Sequence, residues 1–144
     1  MTTVDERLQG TWKLVSFETE VQASGQRLKP WGDNPNGYFM AGTDGRAMAL
    51  ITARERQPGT SDAAAAALFR TMVSYTGSYR IDGDRLITKV DASWNEAWNG
   101  AEQERIYRIT GDLLELATPW APSTSLSGAP MTRSVLSWKR MPTL

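Results

Sequence analysis

Neither cysteine nor histidine occurs in this chain of 144 residues. Without cysteine there is no disulfide framework, thiolate nucleophile or zinc-thiolate site, and without histidine the commonest general base and metal ligand is missing. A hydrolytic Ser-His-Asp triad and haem held through histidine are excluded with it, and no Gly-x-Ser-x-Gly elbow is present. The carboxylates are not clustered, so neither a metal nor a cofactor is expected. No run of ~18 apolar residues occurs, which argues against a membrane-crossing helix. Net charge is lacking too: 16 Lys and Arg balance 16 Asp and Glu. The basic residues are scattered, so nucleic acid is not an expected partner. Residues Met1 to Glu6 carry acids and no apolar core, unlike a secretory leader, and a cytoplasmic, bacterial-type protein is expected. Oligomeric state is not legible.

What the chain does contain is six Trp and four Tyr in short segments divided by Gly, Pro, Asn and Asp, the pattern of many strands joined by turns. The length suits one domain spanning residues 1–144. Val4 to Gln9 reads as one helical turn. Thr11 to Val21 reads as a long strand alternating Trp12, Leu14 and Ser16 against Lys13, Val15 and Phe17. A short extended piece, Gln26 to Lys29, precedes a loop from Pro30 to Asn36 that carries Trp31. Tyr38 to Ala41 and Arg46 to Ala53 flank Asp44-Gly45, a hairpin signal. Thr60 or Ser61 caps a helix through Asp62, Ala63 to Ala67, Leu68, Phe69 and Met72. Two further hairpins join Tyr75 to Ile81 with Arg85 to Ser93, and Gln103 to Ile109 with Leu113 to Ala117. Thr118 to Pro130 reads as a long loop, and Thr132 to Lys139 as a last strand. About eight to ten strands with one short inserted helix are too many for a flat small sheet, and closure removes the edges.

Several stretches carry a resemblance: Gly10-Thr11-Trp12, Tyr38-Phe39-Met40 leading to Asp44-Gly45-Arg46, Ser93 to Gly100 running on to Gln103 and Arg105, and Trp138-Lys139-Arg140. In this order they resemble the bacterial and fungal lipocalin-like domain family. The resemblance implies an all-β, closed antiparallel barrel of the lipocalin or calycin type. It also implies that Trp12 closes the barrel bottom against Arg140. It implies no single activity, since barrels of this kind include uncharacterised proteins as well as cyclases and isomerases. Family members often carry His where this chain has Thr88 and Lys89, which weakens any His-based mechanism taken from them.

Alternate residues of a barrel strand face inward, so parity selects candidate pocket residues. Tyr75, Gly77, Tyr79 and Ile81 make the better interior set on their strand. Gln103, Arg105, Tyr107 and Ile109 compete with Glu102, Glu104, Ile106 and Arg108, whose charges suit an outer face. An inward Arg105 needs Asp91, Glu115, Glu96 or an anionic ligand, because a buried guanidinium must be answered. On the strand from Arg85 both parities stand. Either Lys89 and Asp91 point inward as proton carriers, or they form a solvated face. Glu96 is a further acid-base candidate. Trp94 and Trp98 either shelter an aromatic ligand or plug the barrel, and Tyr38, Met40 and Met48 supply either an adaptable wall or plain core.

The leading expectation is a binding cavity for a small aromatic or apolar molecule, possessing an anionic or carbonyl group oriented by Arg105, Gln103 and the tyrosines. One alternative is a cofactor-independent isomerase, cyclase or lyase that uses Lys89, Asp91 and Glu96. The other is a packed barrel that binds a partner protein through its Trp31 and Trp120 loops.

Overall fold

Local turn chemistry sets up the sheet. Gly45 adopts φ 84°, the conformation a tight reversal demands and L side chains resist, and it joins β3 (Asn36–Ala41) to β4 (Arg46–Thr52). The computed structural model describes residues 5–143. Its other strands are β1 (Gly10–Val21), β2 (Arg27–Leu28), β5 (Met72–Asp82), β6 (Arg85–Ser93), β7 (Glu102–Thr110), β8 (Leu113–Ala117), β9 (Ala121–Pro122) and β10 (Met131–Arg140). The order β1-β3-β4-β5-β6-β7-β8-β10 returns to β1, so eight antiparallel strands close a barrel. The two-residue strands β2 and β9 add to β1 and β10. β9 lies inside the segment expected to be a plain loop. The helix α1 (Asp62–Arg70) starts where Ser61 Oγ accepts from the Ala64 amide at 3.1 Å. It buries none of its own residues, and its Phe69 meets Trp94 at 6.0 Å.

Two bulges decide which side chains enter the barrel. In β1 the pairing shifts between Leu14 and Ser16, leaving Val15 without a partner and exposed. One extra residue exchanges the two faces of a strand. Trp12 and Leu14 therefore face inward before the bulge, and Phe17 and Thr19 after it, which corrects the unbroken alternation expected from the sequence. In β6, Gly77 opposes Val90 and Thr76 opposes Ala92, so Asp91 is the extra residue. It bulges outward, where its carboxylate takes two hydrogen bonds of 2.9 Å from Arg46.

The barrel is plugged at the end where β1 begins. Trp12 is fully buried there, its Nε1 donating to the Leu8 carbonyl at 2.9 Å. The Arg140 guanidinium lies 4.1 Å from the Trp12 ring centroid and donates to the Gln9 carbonyl at 2.8 Å and to that of Arg7. A 3₁₀ turn, Glu6–Leu8, with Gln9 closing it, carries these carbonyls and drops Leu8 into the plug. Val4, the first residue of the helical turn read from the sequence, lies outside the described residues.

Asp5 ties this turn down. It accepts from the Arg7 side chain at 2.7 Å and from the Tyr107 hydroxyl at 2.9 Å. Arg7 foremost, then Tyr107, hold its carboxyl below the usual carboxylate range against the opposing effect of burial. A carboxylate with a depressed folded pKa stabilises the fold above its unfolded pKa of about 4 and loses that contribution as pH falls through the folded value. Asp5→Asn is therefore expected to lower the melting temperature at neutral pH and to flatten its decline below about pH 4. Melting curves from neutral to acid pH check this, and parallel declines in both proteins would contradict it.

Candidate functional site

At the end opposite the plug the barrel opens into a cavity of about 600 Å³. The volume exists because of what β3 and β4 send inward. Phe39, Ala49 and Ile51 line it and Gly37, Ala41 and Ala47 are buried elsewhere on the same inner face, while Tyr38, Met40, Met48 and Leu50 stand exposed on the outer surface. Small inward residues leave room for Phe39 and Trp138, whose rings meet at 6.0 Å in the floor beside Leu116 and Leu136. Assigning Tyr38, Met40 and Met48 to the pocket is thus corrected. Apolar bulk suggested an inner face, but space inside a small barrel is what small residues provide.

The lining is two-sided. Ala49 and Ile51 of β4 and Val73 and Tyr75 of β5 form an apolar wall, continued by Trp98, whose ring lies 5.4 Å from that of Tyr75. Across the cavity stand Gln103 and Arg105 of β7, Thr118 just past β8, Thr132 and Ser134 of β10, and Thr19 of β1. Thr19 opposes Ser134, whose amide donates to Thr118 Oγ at 2.8 Å. Arg105 comes one position before Ile106, which opposes Ala117, so it stands beside Thr118. These polar groups thus make a row across four strands.

Trp98 reaches the rim because Ser93 ends β6 and a 3₁₀ turn, Glu96–Trp98, follows. Asn95 Oδ1 accepts from the Ala97 amide at 3.0 Å, and Lys89 Nζ donates to the Gly100 carbonyl at 2.7 Å from the outer surface. Lys89 therefore holds the turn rather than entering the cavity, and Asp91 faces out with Arg46. Glu96 bonds Asn99 Nδ2 at 3.0 Å and does not line the cavity. Of the two parities open on this strand the solvated one holds, since Leu86, Thr88 and Val90 take the inner positions and Asp91 bulges outward, which removes Lys89 and Asp91 as proton carriers in the cavity.

Of the five tyrosine and tryptophan candidates on β5, β7 and the turn, Tyr75 and Trp98 line the cavity. Tyr79 faces inward lower down, where its hydroxyl donates to the Gly42 carbonyl at 3.2 Å, and Tyr107 is engaged with Asp5. Trp94 packs outside Trp98 at 4.9 Å, between it and Phe69 of α1. Tyr79, Tyr107 and Trp94 are therefore corrected as wall residues, each being held by a neighbour away from the open space.

Arg105 has the inward position without any of the carboxylates expected to answer it. Its Nη1 donates to the Glu104 carbonyl at 2.8 Å, and Nη2 lies 3.4 Å from Gln103 Oε1. Asp91 pairs with Arg46, and Glu115 lies 3.8 Å from Arg108. A second guanidinium at the rim, Arg133, was not foreseen. It stacks on Trp120 at 4.6 Å and pairs with Glu20 at 3.3 Å, while its Nε is buried without a partner. Phe17 was missed because the β1 bulge is invisible in the alternation. Trp138 was legible, since it shares parity with Arg140.

Among the described residues no group of three or more Asp or Glu is gathered so as to hold a metal ion, and no helix is long and apolar enough to cross a membrane. Comparison with known proteins finds the family described as lipocalin-like domain matching residues 9–141. A protein of Aspergillus oryzae, the 4'-hydroxy-3'-methoxypropiophenone carrier protein ppsC, is 33% identical over 94 residues, which cover 60% of this chain and 81% of that protein.

Proposed function

Since the chain belongs to the lipocalin-like domain family, we propose that its barrel binds and carries a small, partly aromatic molecule with an acceptor oxygen oriented by Arg105 and Gln103. The observation that carries this reading is the cavity itself: about 600 Å³, plugged below, apolar on one wall and polar on the other. A volume of this size suits one small organic ligand. The fungal relative's description as a carrier of an aryl ketone is consistent with it. The acid-base alternative draws no support from the geometry, because Lys89 and Asp91 bond outside the barrel and Glu96 bonds Asn99. The packed-module alternative draws none either, because Trp31 lies 5.0 Å from Phe17 and Trp120 is stacked under Arg133.

Trp98 and Trp138 line the cavity and make intrinsic fluorescence a direct reporter. Titration with aromatic, polycyclic and fatty-acid compounds, followed by mass spectrometry of each mixture, is the test. Saturable quenching with unchanged ligand is the expected result; a new product would make the protein an enzyme, and silence across the panel would sink the carrier reading. Arg105→Met is expected to weaken a ligand with an anionic or carbonyl oxygen by about 1.5 kcal/mol, roughly tenfold in Kd, through loss of a charge-assisted hydrogen bond.

A further inference from the structure

The cavity's charge is one-sided. Two guanidinium groups, Arg105 and Arg133, line it, and among the described residues no carboxylate does. Arg133 is answered from outside, by Glu20, which also takes a 2.7 Å bond from Arg27, itself 3.5 Å from Glu18. That network balances two cations with two anions. Arg105 is left over: its contacts are a backbone carbonyl and a neutral amide, and neither cancels a charge. A guanidinium facing a low-dielectric space without a counter-ion is costly unless an anion completes it. The row of Thr19, Ser134 and Thr118 beside Arg105 adds hydroxyls along the same side, and the opposite wall of Ile51, Val73, Tyr75 and Trp98 offers carbon faces with one phenol and one indole N–H, and no charge.

We infer that the cargo is carried as an oxyanion: the conjugate base of a phenol, enol or carboxylic acid on a flat apolar body. Its charged oxygen meets Arg105, its further oxygens lie along the hydroxyl row, and its ring lies against Tyr75 and Trp98. The inference rests on the carrier reading and sharpens it, since a neutral ketone would satisfy a carrier equally well. The consequence is a pKa effect on the ligand. An opposite charge within ~4–6 Å lowers an acid's pKa by about 1–3 units, so the protein selects the ionised form from solution.

Umbelliferone is the probe, a flat bicyclic phenol that titrates near neutrality and whose anion is distinguished by its excitation spectrum; its methyl ether serves as the neutral counterpart. The bound phenol is expected to titrate about one unit or more below the free one, and the methyl ether to bind about tenfold more weakly. Arg105→Met should erase the shift and weaken the phenol by a larger factor than the methyl ether, which offers Arg105 only a neutral carbonyl, whereas Arg105→Lys should keep most of the shift. Equal affinity for both compounds with an unshifted titration would overturn the inference and leave the carrier reading standing. Failure of both compounds to bind, with silence across the wider panel, would end both.

Discussion

Replacing Gly77 by alanine is expected to destabilise the barrel by about 3 kcal/mol or more, at the upper end of what overpacking costs. A Cβ at this position would lie 1.9 Å from the Lys89 carbonyl oxygen and 3.0 Å from the Val90 Cα. Both obstacles are backbone, so no side-chain rotation relieves them, and β5 and β6 would have to part. The site is the one where Gly77 faces Val90 beside the outward loop of Asp91. A glycine here is the condition for the bulge that takes Asp91 to Arg46. Stability of a domain this size is about 5–15 kcal/mol, so the loss is a large share of it. Urea unfolding followed by circular dichroism measures the effect, and an unchanged midpoint would refute the close approach of the two strands.

The second large effect is expected at the plug. Trp12→Ala should cost about 3–5 kcal/mol, the range for emptying a buried aromatic site. It removes the ring that Arg140 covers and leaves the Leu8 carbonyl without its indole donor. Trp12→Phe should recover most of the packing but forfeit the hydrogen bond, about 1 kcal/mol. Because the plug and the cavity occupy opposite ends, ligand affinity of the phenylalanine variant should match that of the parent. Urea midpoints and fluorescence titrations on both variants test the pair of expectations; a loss of affinity in Trp12→Phe would show that the two ends are coupled.

Much of the barrel was readable because its signals are local. Asp44-Gly45 announces a reversal, Ser61 before an alanine run announces a helix start, and the alternation in Tyr75 to Ile81 assigns an inner face without help from the rest of the chain. The contact between Trp12 and Arg140, implied by the family resemblance, needs nothing beyond the first and last strands being neighbours. The misread faces of β1 and β6 share one origin. Val15 and Asp91 are single extra residues whose effect is to exchange faces, and nothing in their own identity marks them as bulged. Met40 and Met48 went astray for a different reason. In β3 and β4 the hydrophobic pattern exists on both faces, alanine inside and methionine outside, so apolar character could not choose between them. Parity alone leaves Lys89 and Asp91 free to face either way, and the register of β6 against β5 turns both outward.

The pocket was legible to the extent that it uses strand interiors. Tyr75, Gln103 and Arg105 follow from alternation, and Trp98 from its position just past the end of β6. Arg133 does not follow. It sits at an outward position of β10, and it reaches the rim through Trp120, which approaches from a segment whose Pro and Ser content suggested only a loop.

The plug made by Trp12, Leu8 and Arg140 turns the barrel into a blind alley instead of a corridor. A passenger enters and departs through one doorway, and no newcomer can push it out from behind. Turnover of the bound molecule is then governed by its own rate of escape, whatever the concentration of rivals waiting outside. Hand-over to another protein requires that protein to face the doorway directly, past the Trp98 turn and the segment carrying Trp120.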